Sequence, residues 1–257
     1  MSLSDFPDWL RKKKKSSNLS PDADIHFDDL DEDALATHLC IDRYGSFQLT
    51  GAVRPSYDLK IRPEEGYRYD MYYDTEKNPH SPMIIAAATR SKLFELFMAL
   101  LDSLGDEVDV ALATSHDQKS SDEGTELFRY QIDLPVLKSA LYDYEDLLIN
   151  DGYTGMSVWN PSLTQEVQFD EHKLLFLYGK PLEAFERVLH AYDVNRKKEI
   201  KFITEAAHIH ESSDAYRDQF HALALQLHTE EVNDQEEESN DDEEEENDDD
   251  DFLLSQS

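Results

Sequence analysis

Residues 83–114 read MIIAAATRSKLFELFMALLDSLGDEVDVALAT, and their rhythm decides the fold class. The stretch opens on an unbroken apolar run, residues 83–88. Leu93, Phe97, Leu100 and Leu104 then recur at intervals of three and four, the spacing that gathers side chains on one face of a helix. Ser91 is placed to cap that helix and Gly105 to stop it. Residues 108–114 are strand-like again. A strand on each side of an amphipathic helix predicts a sheet with helices packed against it.

The same rhythm continues along the chain. A second helix is expected over 135–149, with Pro135 suited to its first turn and Leu137, Leu141, Tyr144 and Leu148 on its stripe. A third is expected over 181–193, carrying Leu182, Phe185, Leu189 and Tyr192. Strand-like runs at 127–133, 155–160, 174–178 and 200–204 flank these helices, and Asp170, Glu171, His172 and Lys173 form a hairpin-like link. Upstream, residues 38–43 and 47–53 read as strands around a turn at Tyr44, Gly45 and Ser46, and Cys40 as a small buried hydrophobe on the first of them. Residues 67–73 alternate Tyr67, Tyr69, Met71 and Tyr73 with polar neighbours, the period of a half-buried antiparallel strand. Ser213 caps a fourth helix, 213–228, striped by Tyr216, Phe220, Leu223 and Leu227. The expectation is an α+β fold in one domain, residues 36–228: an antiparallel or mixed sheet covered on one face by about four helices. From about residue 83 the strand–helix–strand units hint at an internal repeat.

The two ends differ from this body. Residues 229–257 carry 16 Asp or Glu and no Lys, Arg or His, and finish on the apolar tip Phe252, Leu253 and Leu254. So much charge with so little to bury predicts a disordered acidic tail. Residues 1–35 read as a disordered arm in which Phe6, Trp9 and Leu10 precede the basic run 11–15. That order is the reverse of a signal peptide. No window reaches the length of a membrane span, and one cysteine permits no internal disulfide, so the reading is cytoplasmic.

The formal charge is −33, from 24 basic and 57 acidic residues; removing the 16 acids of the tail still leaves −17. Direct binding of duplex nucleic acid is therefore not expected, since phosphate contact depends on clustered cations. A basic protein partner suits this field. On these grounds the chain reads as a non-enzymatic interaction or regulatory protein without a cofactor. Its contacts would be Phe252, Leu253 and Leu254, with Asp249, Asp250 and Asp251 supplying salt-sensitive attraction, and Trp9 at the other end.

Two alternatives come from other classes. Neither glycine-rich phosphate motif occurs, and Ser157 lacks the glycine frame of a nucleophile elbow. His208 and His210, however, share one face if the segment is extended, and Glu211 or a third histidine, His221 and His228 being the candidates, would complete a divalent-metal site. That would make the chain a metal-dependent enzyme. The tail also resembles those of bacterial single-strand-binding proteins, on the strength of Asp248 to Asp251 followed by Phe252, Leu253 and Leu254. The resemblance implies an accessory protein whose tail docks partner enzymes. Ser255, Gln256 and Ser257 follow the tip, and the body lacks an evident basic, aromatic-rich groove.

Overall fold

The structure is a computed structural model that describes residues 32–55, 60–73, 80–116 and 125–231. Trp9, the acids 249–251 and the tip 252–254 lie outside the described residues.

The chain enters on helix α1 (Glu32–Leu39), followed by the hairpin β1 (Arg43–Tyr44) and β2 (Phe47–Gln48) and by β3 (Val53–Pro55). Next come β4 (Gly66–Tyr73), β5 (His80–Ala87), α2 (Arg90–Leu101), β6 (Glu107–Thr114) and β7 (Thr125–Asp133). Helices α3 (Leu134–Asp143) and α4 (Glu145–Asn150) precede β8 (Thr154–Asn160), β9 (Gln165–Phe169) and β10 (Leu175–Tyr178). The last elements are α5 (Glu183–Ala191), β11 (His208–His210) and α6 (Asp214–Leu227).

Seven strands form one sheet in the order β4-β5-β10-β9-β8-β6-β7, and every neighbouring pair is antiparallel. The period-two pattern explains its two faces. Tyr67, Ile84, Ala86, Val110, Leu112, Met156, Val158, Val167, Phe169, Leu175 and Leu177 point to one side. There they join Leu93, Phe97, Leu137, Leu148, Phe185 and Phe220 from α2 to α6 in a single buried cluster. On the other side Met83, Ile85 and Leu174 pack with Ile200 and Phe202. A separate two-stranded pair, β3 with β11, places His208 opposite Pro55 and His210 opposite Val53.

Several expectations need correction. Residues 38–42 do not form a strand, and β1 begins only at Arg43: α1 runs to Leu39, its Ala34, Leu35 and Ala36 being good helix formers, and His38 is buried with Nε2 at 2.8 Å from Pro55 O. Cys40 is exposed just past that helix. Residues 200–204 are not a strand either. Phe202 and Ile200 cover the outer sheet face, and a 3-10 turn over Ile203–Glu205 follows, held by Glu205 accepting from Phe202 N at 2.9 Å. The expected helix 135–149 breaks at Tyr144 into α3 and α4. Helix α2 starts from Thr89 rather than Ser91. Helix α6 does start from Ser213, whose Oγ accepts from Tyr216 N at 3.3 Å.

A candidate three-histidine metal centre

The hairpin between β9 and β10 is a tight turn fixed by its first residue. Asp170 N donates to Leu174 O, Lys173 N donates to Asp170 O, and Asp170 Oδ1 accepts from Leu174 N at 2.8 Å. The other carboxylate oxygen, Oδ2, takes the Nδ1 proton of His172 at 2.8 Å. This turn delivers the His172 ring to one face of β11.

On β11, alternation puts His208 and His210 on that same face, two residues apart. His208 Nδ1 donates to Ala206 O at 2.8 Å, and His210 Nδ1 donates to Gly152 O at 2.6 Å. The three rings stand together, with centroids 4.7 to 5.0 Å apart. Their ligand nitrogens all lie within 4.8 Å of one another. His172 Nε2 and His208 Nε2 are 3.1 Å apart.

The acceptors fix the tautomers. A carbonyl or carboxylate can only accept, so each Nδ1 carries the proton and each Nε2 of a neutral ring presents a lone pair. Burial pulls His208 and His210 below the usual histidine range, which keeps both rings neutral at neutral pH. Burial also acts against the charged form of His172, but the Asp170 carboxylate outweighs it and the net shift is upward. Asp170 is itself held low: burial pushes it up, and His172 with the two hydrogen bonds more than reverses this.

The scaffold around the rings is a crossing of three chain segments. Gly152 N donates to Glu211 O at 2.8 Å, and Glu211 N donates to Ala52 O at 2.7 Å. A Cβ on Gly152 would stand 2.3 Å from Ala52 O and 2.8 Å from Glu211 O, so only glycine fits. Beside it Asp151, with no exposed surface, accepts from His116 Nε2 at 2.9 Å, from Thr154 Oγ1 at 2.5 Å and from Ser212 Oγ. His116 and Ser212 meet the same carboxylate, and Ser212 Oγ is 3.5 Å from the very nitrogen that faces Asp151. That wiring braces Ser212 against the nitrogen Asp151 already holds, whereas a catalytic triad gives its two ring nitrogens to different partners. Lys173 is buried, with Nζ donating to Thr154 O at 2.8 Å and lying 5.3 Å from the centre of the Phe169 ring. Burial draws its pKa down to about 8, against the pull of Asp170 and Asp151. A cavity of about 40 Å³ borders the His172 side, with Leu49, Leu174 and Phe202 in its wall.

Three imidazoles, each anchored through Nδ1 to an oxygen behind it, form the arrangement that orients histidine ligands on zinc and its neighbours in the first transition row. Metal–nitrogen bonds of about 2.0–2.1 Å would set the nitrogens about 3.3 Å apart in a tetrahedral site. The His172–His208 separation is already in that range.

Sequence reasoning placed His208 and His210 on one face but looked to α6 for a third ring. Among the described residues the third is His172; His221 meets Phe220 edge-on, and His228 Nδ1 donates to Gln226 O. Glu211 turns to Arg54, 3.7 Å away. The available signal was an aspartate two residues ahead of a histidine in a tight turn, a spacing that lets the carboxylate reach Nδ1. Comparison with known protein families, curated proteins and solved structures finds no match for this chain.

Proposed function

We propose that this chain is a metal protein that binds one late first-row divalent cation, zinc foremost, through His172, His208 and His210. The observation that carries the reading is the 3.1 Å approach of two Nε2 atoms whose rings both donate through Nδ1. Two neutral rings in that tautomer turn lone pairs toward each other. A second proton on His172 would relieve this one contact, but it would serve two nitrogens, whereas a cation serves all three. Soft-to-borderline nitrogen donors favour zinc, copper, nickel or cobalt over magnesium and calcium, which prefer oxygen.

The test is metal content. Full-length protein purified without chelator is expected to carry close to one zinc per chain, or to take one up, and His172→Ala is expected to lose it. Full-length protein that stays metal-free in micromolar zinc overturns the reading.

Charge favours a second reading. The 16 acids among residues 229–257, with no base among them, and the apolar tip Phe252, Leu253 and Leu254 suit recruitment of a basic protein partner. Replacing the three tip residues by serine in the full-length chain would abolish capture of that partner; unchanged capture removes this reading. Among the described residues no helix is long and apolar enough to cross a membrane.

A further inference from the structure

We infer that the metal of this centre keeps one coordination position for an exogenous ligand, and that this ligand is a small anion, a carboxylate or similar oxyanion, taking the place of water. The inference rests on the metal reading above and concerns what completes the coordination sphere.

Three observations support it. Among the described residues the donor group stops at three. Of the nearby carboxylates, Asp170 gives one oxygen to His172 and the other to Leu174 N, Asp151 is held by His116, Thr154 and Ser212, Glu211 faces Arg54, and Glu171, whose charge reaches His172 and His210, is outside the donor group. Cys40, the one thiol, sits beyond α1. A structural zinc site closes itself with a fourth protein donor, whereas a reactive one keeps three and a water.

Orientation supplies the second observation. Each ring is held from behind through Nδ1 by protein oxygen, yet all three rings are only half-buried. The Nε2 side, turned away from those anchors, is the side left for a metal and its fourth ligand. Tyr153, 37 % exposed and 6.4 Å from the His210 ring, stands at that rim.

Charge supplies the third. Three neutral imidazoles bring no negative charge to a dication; Asp170 behind His172 offsets one unit of it, and the opposite charges of Glu171 and Lys173 beside His172 balance each other. One positive charge is left at the open vertex, which favours an anionic oxygen over a neutral donor. In a protein of net charge −33 this vertex is a local exception, selective for anions small enough to approach through the surrounding field.

Cobalt replaces zinc in such sites and reports its own coordination in the visible spectrum. Full-length protein loaded with Co²⁺ is to be titrated with sodium azide and, separately, with sodium acetate at constant ionic strength. A saturable shift of the visible bands with either anion is the expected result, reversed by dilution. Bands that form on loading but stay unchanged with both anions mean that a fourth protein donor closes the site, and this overturns the inference while the metal reading stands. Failure to bind cobalt or zinc at all removes both, so the two failures are told apart by the loading step.

Discussion

The carbonyl of Gly152 accepts the Nδ1 proton of His210 at 2.6 Å, across 58 positions of sequence. The same glycine donates to Glu211 O, and both bonds depend on a backbone approach that leaves no room for a side chain. Gly152→Ala is therefore expected to destabilise the fold by about 3 kcal/mol, the cost of forcing atoms into a filled site. Metal affinity should fall with it, because His210 loses its fixed tautomer. Urea unfolding and a zinc competition assay on the same preparation check both effects; a variant as stable as the parent would show that the crossing is looser than described.

Asp170→Asn separates positioning from folding. The asparagine oxygen can still accept from Leu174 N, which preserves the turn, while the charge behind His172 disappears. Zinc affinity is expected to drop about 10- to 100-fold with little change in the urea midpoint. An unchanged affinity would mean that Asp170 serves the turn alone.

Zinc itself should stabilise the chain. At a free concentration 100 times its dissociation constant the expected gain is about 2.7 kcal/mol, read as a higher melting temperature that a chelator reverses. His208→Ala, which removes a donor from the short β11 and not from the main core, should abolish the gain.

Asp109 gives a prediction about pH. It lies in the bulge between Val108 and Val110 of β6, 8 % exposed, and accepts from Gln131 N at 2.8 Å. Burial raises its pKa, the Gln131 hydrogen bond opposes this, and Glu107 adds to the rise. A carboxyl whose pKa is higher folded than unfolded weakens the fold above that folded pKa, and the penalty is relieved as pH falls through it. Asp109→Asn keeps the acceptor and loses the charge. It is expected to have the higher urea midpoint at pH 7, with an advantage that narrows as the pH falls. Parallel pH profiles for the two proteins would contradict this.

The main sheet and its helices were readable where burial is one-sided. The alternation through Tyr67 and Tyr69 gave β4, and the stripe of Leu93, Phe97 and Leu100 gave α2, because each element turns one face to a single core. Strand β9 was unreadable for the opposite reason: Gln165 and Glu166 are buried polar residues, so its sequence shows no apolar alternation. The segment 38–43 misled because its apolar residues sit at a helix end and on a short exposed connection. Two of the three candidate ligands, His208 and His210, could be read from the sequence alone. His172 could not, because it lies 36 positions away in a turn, and only the pairing of β9 with β10 and of β3 with β11 brings the two places together.

All seven strands of the large sheet are contained in the chain before residue 179, whereas β11 arrives only at residues 208–210. On the ribosome the sheet can thus be complete while β3 still waits for its partner. The sheet strands precede two of the three imidazoles in synthesis, and α6, which adds Phe220 and Leu223 to the main core, comes after them. Synthesis halted just short of His208 would release a chain that has all seven sheet strands but a single one of its three imidazoles and no α6 to close the core.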